Sequence, residues 1–144
     1  MTLPKVATIQ NSLLCASGRF STNGVMLMTS PIRKVAVLGS GVMGSGIAAH
    51  LASCGIQTLL LDIVPPGLDA DAPLADRNSF AAKGLAGALK SKPNVFVDTS
   101  AASLIVVGNL TDDLEQISSC DWVIEVVKED LSIKRDLLER VEGH

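Results

Sequence analysis

The chain has 144 residues, with 12 Lys and Arg against 15 Asp and Glu and a net charge of −3 at pH 7. That length fits one domain with a buried core. The mild acidity, the lack of a basic cluster and an aromatic content of 3% give no nucleic-acid footprint, and no apolar run approaches the ~20 residues of a membrane-spanning helix.

Residues 1–30 hold Lys5 and Arg19, no acid, and many Ser and Thr, with no sustained periodicity. They are expected to form a disordered leader or tail, or to be sequence upstream of a start at Met28. A basic, acid-free, Ser-rich leader is also the composition of an organelle transit peptide, for which Arg is sparse here. Cys15, Cys54 and Cys120 are far apart and form no C-x-x-C, which argues against a disulfide framework or a zinc site. Cys54 and Cys120 are expected as small core residues. A reducing compartment fits: the cytoplasm, or the mitochondrion if the leader is a transit peptide.

From Lys34 the pattern becomes regular. An apolar strand near 34–39 runs into Gly39-Ser40-Gly41-Val42-Met43-Gly44, a G-x-G-x-x-G. A helix near 42–54 follows, with Ile47, Ala48, Leu51 and Ala52 at helical spacing. A second strand near 57–62 ends on Asp62. Strand, glycine turn, helix, strand and acid in that order form the dinucleotide-binding fingerprint. Gly39 allows the tight turn, Gly41 lets a pyrophosphate approach the backbone, and Gly44 lets the helix sit close to the strand. The helix N-terminus offers unpaired N–H groups to the diphosphate. Asp62, roughly 20 residues on, can accept hydrogen bonds from the adenosine ribose hydroxyls. The same carboxylate repels a 2′-phosphate, so the cofactor expected is NAD rather than NADP.

A loop rich in Pro and Asp, from Val64 to Asp76, comes next, then a helix near 76–91 that Pro93 ends. Residues 94–103 are ambiguous. Leu104–Val107 reads as a short strand. Thr111 is expected to cap a helix with Asp112 and Asp113 in its first turn. Trp122–Val127 reads as a buried strand. Asp130 is expected to cap a last helix carrying Leu131, Lys134, Leu137, Leu138 and Val141. The expected fold is α/β, a Rossmann-type doubly wound parallel sheet over 31–144. It is expected to be incomplete at the C-terminus, with four strands where the full sheet has about six.

Two stretches carry a family resemblance. Val35–Ala48 is shared among β-hydroxyacid dehydrogenases. Cys120–Lys134 is more telling, because a D-x-V-(V/I)-E strand followed by E-(N/D)-L-x-(V/I)-K is the pattern of the 3-hydroxyacyl-CoA dehydrogenases. From Ile32 to Val141 the chain resembles their NAD-binding domain. The resemblance implies an enzyme of fatty-acid β-oxidation that oxidises a 3-hydroxyacyl-CoA and passes hydride to NAD. It implies cofactor contacts from Gly39, Gly41, Val42, Met43 and Gly44, from Asp62 and Ile63, from Val127, Lys128 and Glu129 in the turn on the nicotinamide side, and from Lys134 near the nicotinamide ribose. Lys128 departs from the apolar residue usual there.

Each assignment has a plainer rival: Glu129 as an acid in the first turn of its helix, Lys134 as a solvated surface residue, and Lys83, Lys90 and Lys92 as a charged face rather than phosphate contacts. No catalytic residue is assigned. The resemblance places the family's His–Glu pair beyond this chain, and His50 and His144 do not fit that motif. The 144-residue chain alone is therefore expected to bind NAD weakly, if at all, and not to oxidise substrate. Acyl-CoA binding and a homodimer or β-oxidation complex would belong to a longer form. Alternative readings are a stand-alone NAD-binding or regulatory module, or another NAD-dependent β-hydroxyacid dehydrogenase.

Overall fold

Alternation along two strands divides the molecule into two layers. The computed structural model describes residues 31–144; the leader or tail assigned to 1–30, with Cys15 and Met28, lies outside the described residues. Strand β1, Lys34–Leu38, and strand β2, Gln57–Asp62, pair in parallel with Lys34 opposite Gln57 and Leu38 opposite Leu61. Successive strand side chains point to opposite faces. Val35, Val37 and Leu60 therefore join one core, while Ala36, Leu38, Leu59 and Leu61 join another. Both faces are covered, which is why these strands read as nearly unbroken apolar runs.

Helix α1, Val42–Ser53, and helix α3, Ser79–Leu89, cover the first face through Ala48, Ala49, Ala52, Ala81 and Ala88. Small residues let these two helices lie close to the sheet and to each other. The second face is covered by Leu114 and Ile117 of a 3-10 turn over Leu114–Ser119, and by Leu137 and Val141 of helix α4, Leu131–Glu142. Strand β3, Ile105–Asn109, pairs with β2, and strand β4, Trp122–Glu125, pairs with β1, all in parallel. The order β3-β2-β1-β4 is the first four strands of the doubly wound 3-2-1-4-5-6 arrangement.

Several expectations need correction, among them the buried strand over Trp122–Val127, which is half-buried and ends at Glu125. The helix expected near 76–91 begins at Leu74 and is divided: α2 is Leu74–Arg77, and α3 starts after Asn78. At the division the Arg77 side chain donates to Asp112 and the Asn78 side chain accepts from Asn109 Nδ2. The helix also ends at Leu89, before Pro93, where the Ser91 hydroxyl donates to the Ala88 carbonyl.

Thr111 caps no helix. The Asn109 side chain takes the Thr111 and Asp112 amides at 2.9 and 2.8 Å, an Asx-type turn, and only a 3-10 turn follows from Leu114. The strand expected to begin at Leu104 begins at Ile105, after a 3-10 turn over Thr99–Leu104. Cys54 is exposed rather than in the core, because it is the C-cap of α1 beside the Gly55 turn; Cys120 is half-buried.

Candidate functional site

The carboxyl ends of β1, β2 and β4 bring the glycine turn, Asp62 and the Val126–Glu129 turn to one edge of the sheet. Leu38 lies between Leu61 and Glu125 in register, so Gly39 emerges between the exits of β2 and β4. This is the point where strand order reverses, the place where open α/β sheets bind ligands. Gly39 adopts φ +108°, and a Cβ there would stand 2.8 Å from the Val126 carbonyl oxygen. Both the conformation and the space therefore require glycine. Its N–H donates to Leu61 O at 2.7 Å and ties the turn to β2.

A Cβ on Gly44 would lie 1.9 Å from the Gly39 carbonyl oxygen, so α1 starts directly on the turn only with glycine there. Among the described residues, a Cβ on Gly41 would meet nothing within 4 Å. Gly41 is the N-cap of α1, with no side-chain cap and no acid in the first turn. The first amides of α1 therefore keep their donor capacity. Val42 and Met43 beside them are strongly exposed.

Asp62 closes the other side. Its Oδ2 accepts from the Ser40 N–H at 2.7 Å and from the Ser40 hydroxyl, and its Oδ1 accepts from the Ile63 N–H at 2.7 Å. A cleft of about 500 Å³ runs from here between α1 and α3, lined by Ser40, Gly41, Val42, Asp62, Phe80 and Lys83 among others. The Lys83 ammonium lies 5.9 Å from the centroid of the Phe80 ring, within cation–π range.

On the opposite side of β1, the Val127 N–H donates to Glu125 Oε1 at 2.7 Å, and Lys128 and Glu129 are exposed. Glu129 is not in the first turn of its helix, because α4 begins at Leu131 under the Asp130 cap, whose Oδ1 accepts from the Ser132 N–H at 2.9 Å. Lys134 is not a freely solvated cation either. Its Nζ is 3.0 Å from Glu129 Oε1 and 3.3 Å from Glu125 Oε2, bridging the end of β4 to the turn. The hydrogen bond to Glu129, with support from Glu125, raises its pKa above the ordinary lysine value.

The structure thus groups Gly39, Gly41, Val42, Met43, Gly44, Asp62 and Ile63 on one side of the switch point, and Val127, Lys128, Glu129 and Lys134 on the other. Sequence reasoning missed Ser40 and Gly84. A Cβ on Gly84 would stand 2.3 Å from Ser40 O, so α3 presses its backbone on the glycine turn. An isolated glycine inside a helical pattern was the available signal. A second missed feature is a polar network below the site. Buried Arg77 holds Asp112 through two nitrogens at 2.8 and 2.7 Å and also donates to the carbonyls of Asp69 and Ala70. Asn109 Nδ2 donates to Asp112 and Asn78. This network fastens the segment after β2 to the end of β3.

Comparison with known proteins places this geometry. The family model "3-hydroxyacyl-CoA dehydrogenase, NAD binding domain" matches residues 34–144. A probable 3-hydroxyacyl-CoA dehydrogenase of Deinococcus radiodurans is 52% identical over 111 residues, covering 77% of this chain and 30% of that protein. A putative fatty acid oxidation complex trifunctional enzyme of Rickettsia felis is 41% identical over 114 residues, covering 79% of this chain and 15% of that protein. The crystal structure of (S)-3-hydroxybutyryl-CoA dehydrogenase from Ralstonia eutropha superposes with a TM-score of 0.51 at 26% identity, covering 78% of this chain and 37% of that one. The chain therefore spans 30% or less of the curated relatives named here. Matched by the family model from β1 to its last residue, and folded as a parallel sheet with a glycine turn and an acid at the switch point, the chain belongs to the 3-hydroxyacyl-CoA dehydrogenase family, of which it carries the NAD-binding domain.

Proposed function

We propose that this chain forms the cofactor-binding part of an NAD-dependent 3-hydroxyacyl-CoA dehydrogenase. The observation that carries the reading is the convergence of the Gly39–Gly44 turn, the uncapped N-terminus of α1 and the Asp62 carboxylate on one edge of the sheet. NAD fits this arrangement: the space over Gly41 is open, donors face it, and the carboxylate lies one strand away. Backbone amides of Val42, Met43 and Gly44 would hold the pyrophosphate, aided by the helix dipole. Asp62 and the adjoining Ile63 would hold the adenosine ribose. Val127, Lys128 and Glu129 would border the nicotinamide, and Lys134, held by its two acids, would stand near its ribose.

When bound, NAD supplies the hydride acceptor for oxidation of the 3-hydroxyl of an acyl-CoA. The residues of this chain bind and orient it. A fixed carboxylate beside the ribose repels a 2′-phosphate. Acyl-CoA recognition and assembly as a homodimer or in a β-oxidation complex belong to the whole protein; the name of the Rickettsia felis relative is in keeping with the latter. Calorimetric titration tests the cofactor reading: NAD binding at least about tenfold tighter than NADP is expected, and equal affinities, or no binding to the folded chain, would contradict it.

A further inference from the structure

We infer that Ser40 is a positioning residue that sets cofactor choice, by turning Asp62 from a movable charge into a fixed one. The inference rests on the reading of Asp62 as the ribose acceptor. A carboxylate offers about four acceptor positions. Three are used within the protein: Oδ2 takes the Ser40 N–H and hydroxyl, and Oδ1 takes the Ile63 N–H. Ser40 itself is fixed. It is 6% exposed, it follows a turn tied to Leu61 O, and α3 bears on it so closely that a Cβ on Gly84 would reach its carbonyl oxygen at 2.3 Å and its own Cβ at 2.9 Å.

The charges around the cleft make this fixation decisive. Among the described residues its lining holds one acid, Asp62, and one cation, Lys83. With Asp62 rotated away, the charge left on these walls is the Lys83 ammonium, which attracts a 2′-phosphate rather than repelling it. With Oδ2 held by two donors from Ser40, that rotation breaks both bonds, and the negative charge stays beside the ribose. Discrimination between cofactors is a difference of affinities, and here the repulsive element is kept in place by a neighbour.

The experiment titrates NAD and NADP into the 144-residue chain and into Ser40→Ala, Asp62→Ala and the double variant, with melting curves in parallel. Loss of a hydrogen bond to a charged group is expected to raise the NADP-to-NAD affinity ratio about tenfold in Ser40→Ala. That change is expected to vanish in the Asp62→Ala background, because the two residues act as a unit. Equal weakening of both cofactors by Ser40→Ala, with the ratio unchanged, would overturn the inference and leave the Asp62 reading standing. Undiminished NAD binding by Asp62→Ala would overturn the ribose reading and the inference with it. Where Ser40→Ala melts too low to titrate, Ser40→Cys, similar in size but a weak donor, carries the same ratio comparison.

Discussion

The Gly39 carbonyl oxygen occupies the place where residue 44 would put a side chain: a Cβ there would lie 1.9 Å away. The helix starts on the turn itself, and the motif's last glycine is thereby a requirement of the fold. Gly41 differs, with extended backbone at φ −60° and ψ −175° and open space beside it. Gly44→Ala is expected to cost about 3 kcal/mol of stability through overpacking against backbone. Gly41→Ala is expected to cost about 1 kcal/mol while weakening NAD binding, because its methyl stands in the cleft. Chemical denaturation and NAD titration of the two variants separate these effects.

Asn109 is fully buried and spends its side chain on four hydrogen bonds, to the Thr111 and Asp112 amides and to Asn78 and Asp112. Removing it strands several buried groups at once. Asn109→Ala is expected to destabilise the chain by about 3 kcal/mol, read from the urea midpoint. Arg77→Lys is expected to lower the midpoint as well, because an ammonium cannot reproduce the two-nitrogen grip on Asp112.

Acid is expected to weaken the fold through a few identifiable carboxylates. The Arg77 hydrogen bond, then Asn109, holds Asp112 below its ordinary 3.8, and the Arg33 and Lys34 amides, at 2.8 and 2.9 Å, do the same for Asp121. A carboxylate whose folded pKa is lowered contributes stability that is present above 3.8 and lost as pH falls through the lowered value. Lys134 has the opposite sign: raised above 10.5, it contributes below that value and loses its contribution as pH rises through the raised one. Urea midpoints are expected to be flat from about pH 5 to 9 and to fall on either side. In Asp121→Asn the drop between pH 5 and pH 3 is expected to be smaller than in the parent chain.

What the sequence made legible was local. The run from Lys34 to Asp62 contains the strand, turn, helix, strand and acid within one β-α-β unit, and each element's pattern lies in its own residues. The Asp130 cap was legible for the same reason, since its partners are two and three residues away. The division at Asn78 was not, because residues 77 and 78 bond to 112 and 109, more than 30 positions away. The missing helix after Thr111 has a local cause, the Asn109 side chain on the Thr111 and Asp112 amides, which competed with the cap pattern read there. Lys134 could be placed on α4 from spacing, but its partner Glu125 sits on a strand that only the folded sheet brings near. Ser40 occupies a position where the glycine motif allows any residue, so its bond to Asp62 left no mark in the pattern.

The proposed place of NAD is across the carboxyl edge of the sheet, from the Asp62 side of β1 to the Val127 side. Amide chemical-shift mapping during an NAD titration tests it most directly. Saturable shifts are expected at Gly39, Gly41 to Gly44, Asp62, Ile63 and Val127 to Glu129, and none at Lys34, Gln57 or Ser103, which line a separate depression next to the amino ends of β1 and β2. Saturable shifts confined to that depression, with the glycine turn and Asp62 unmoved, would contradict it.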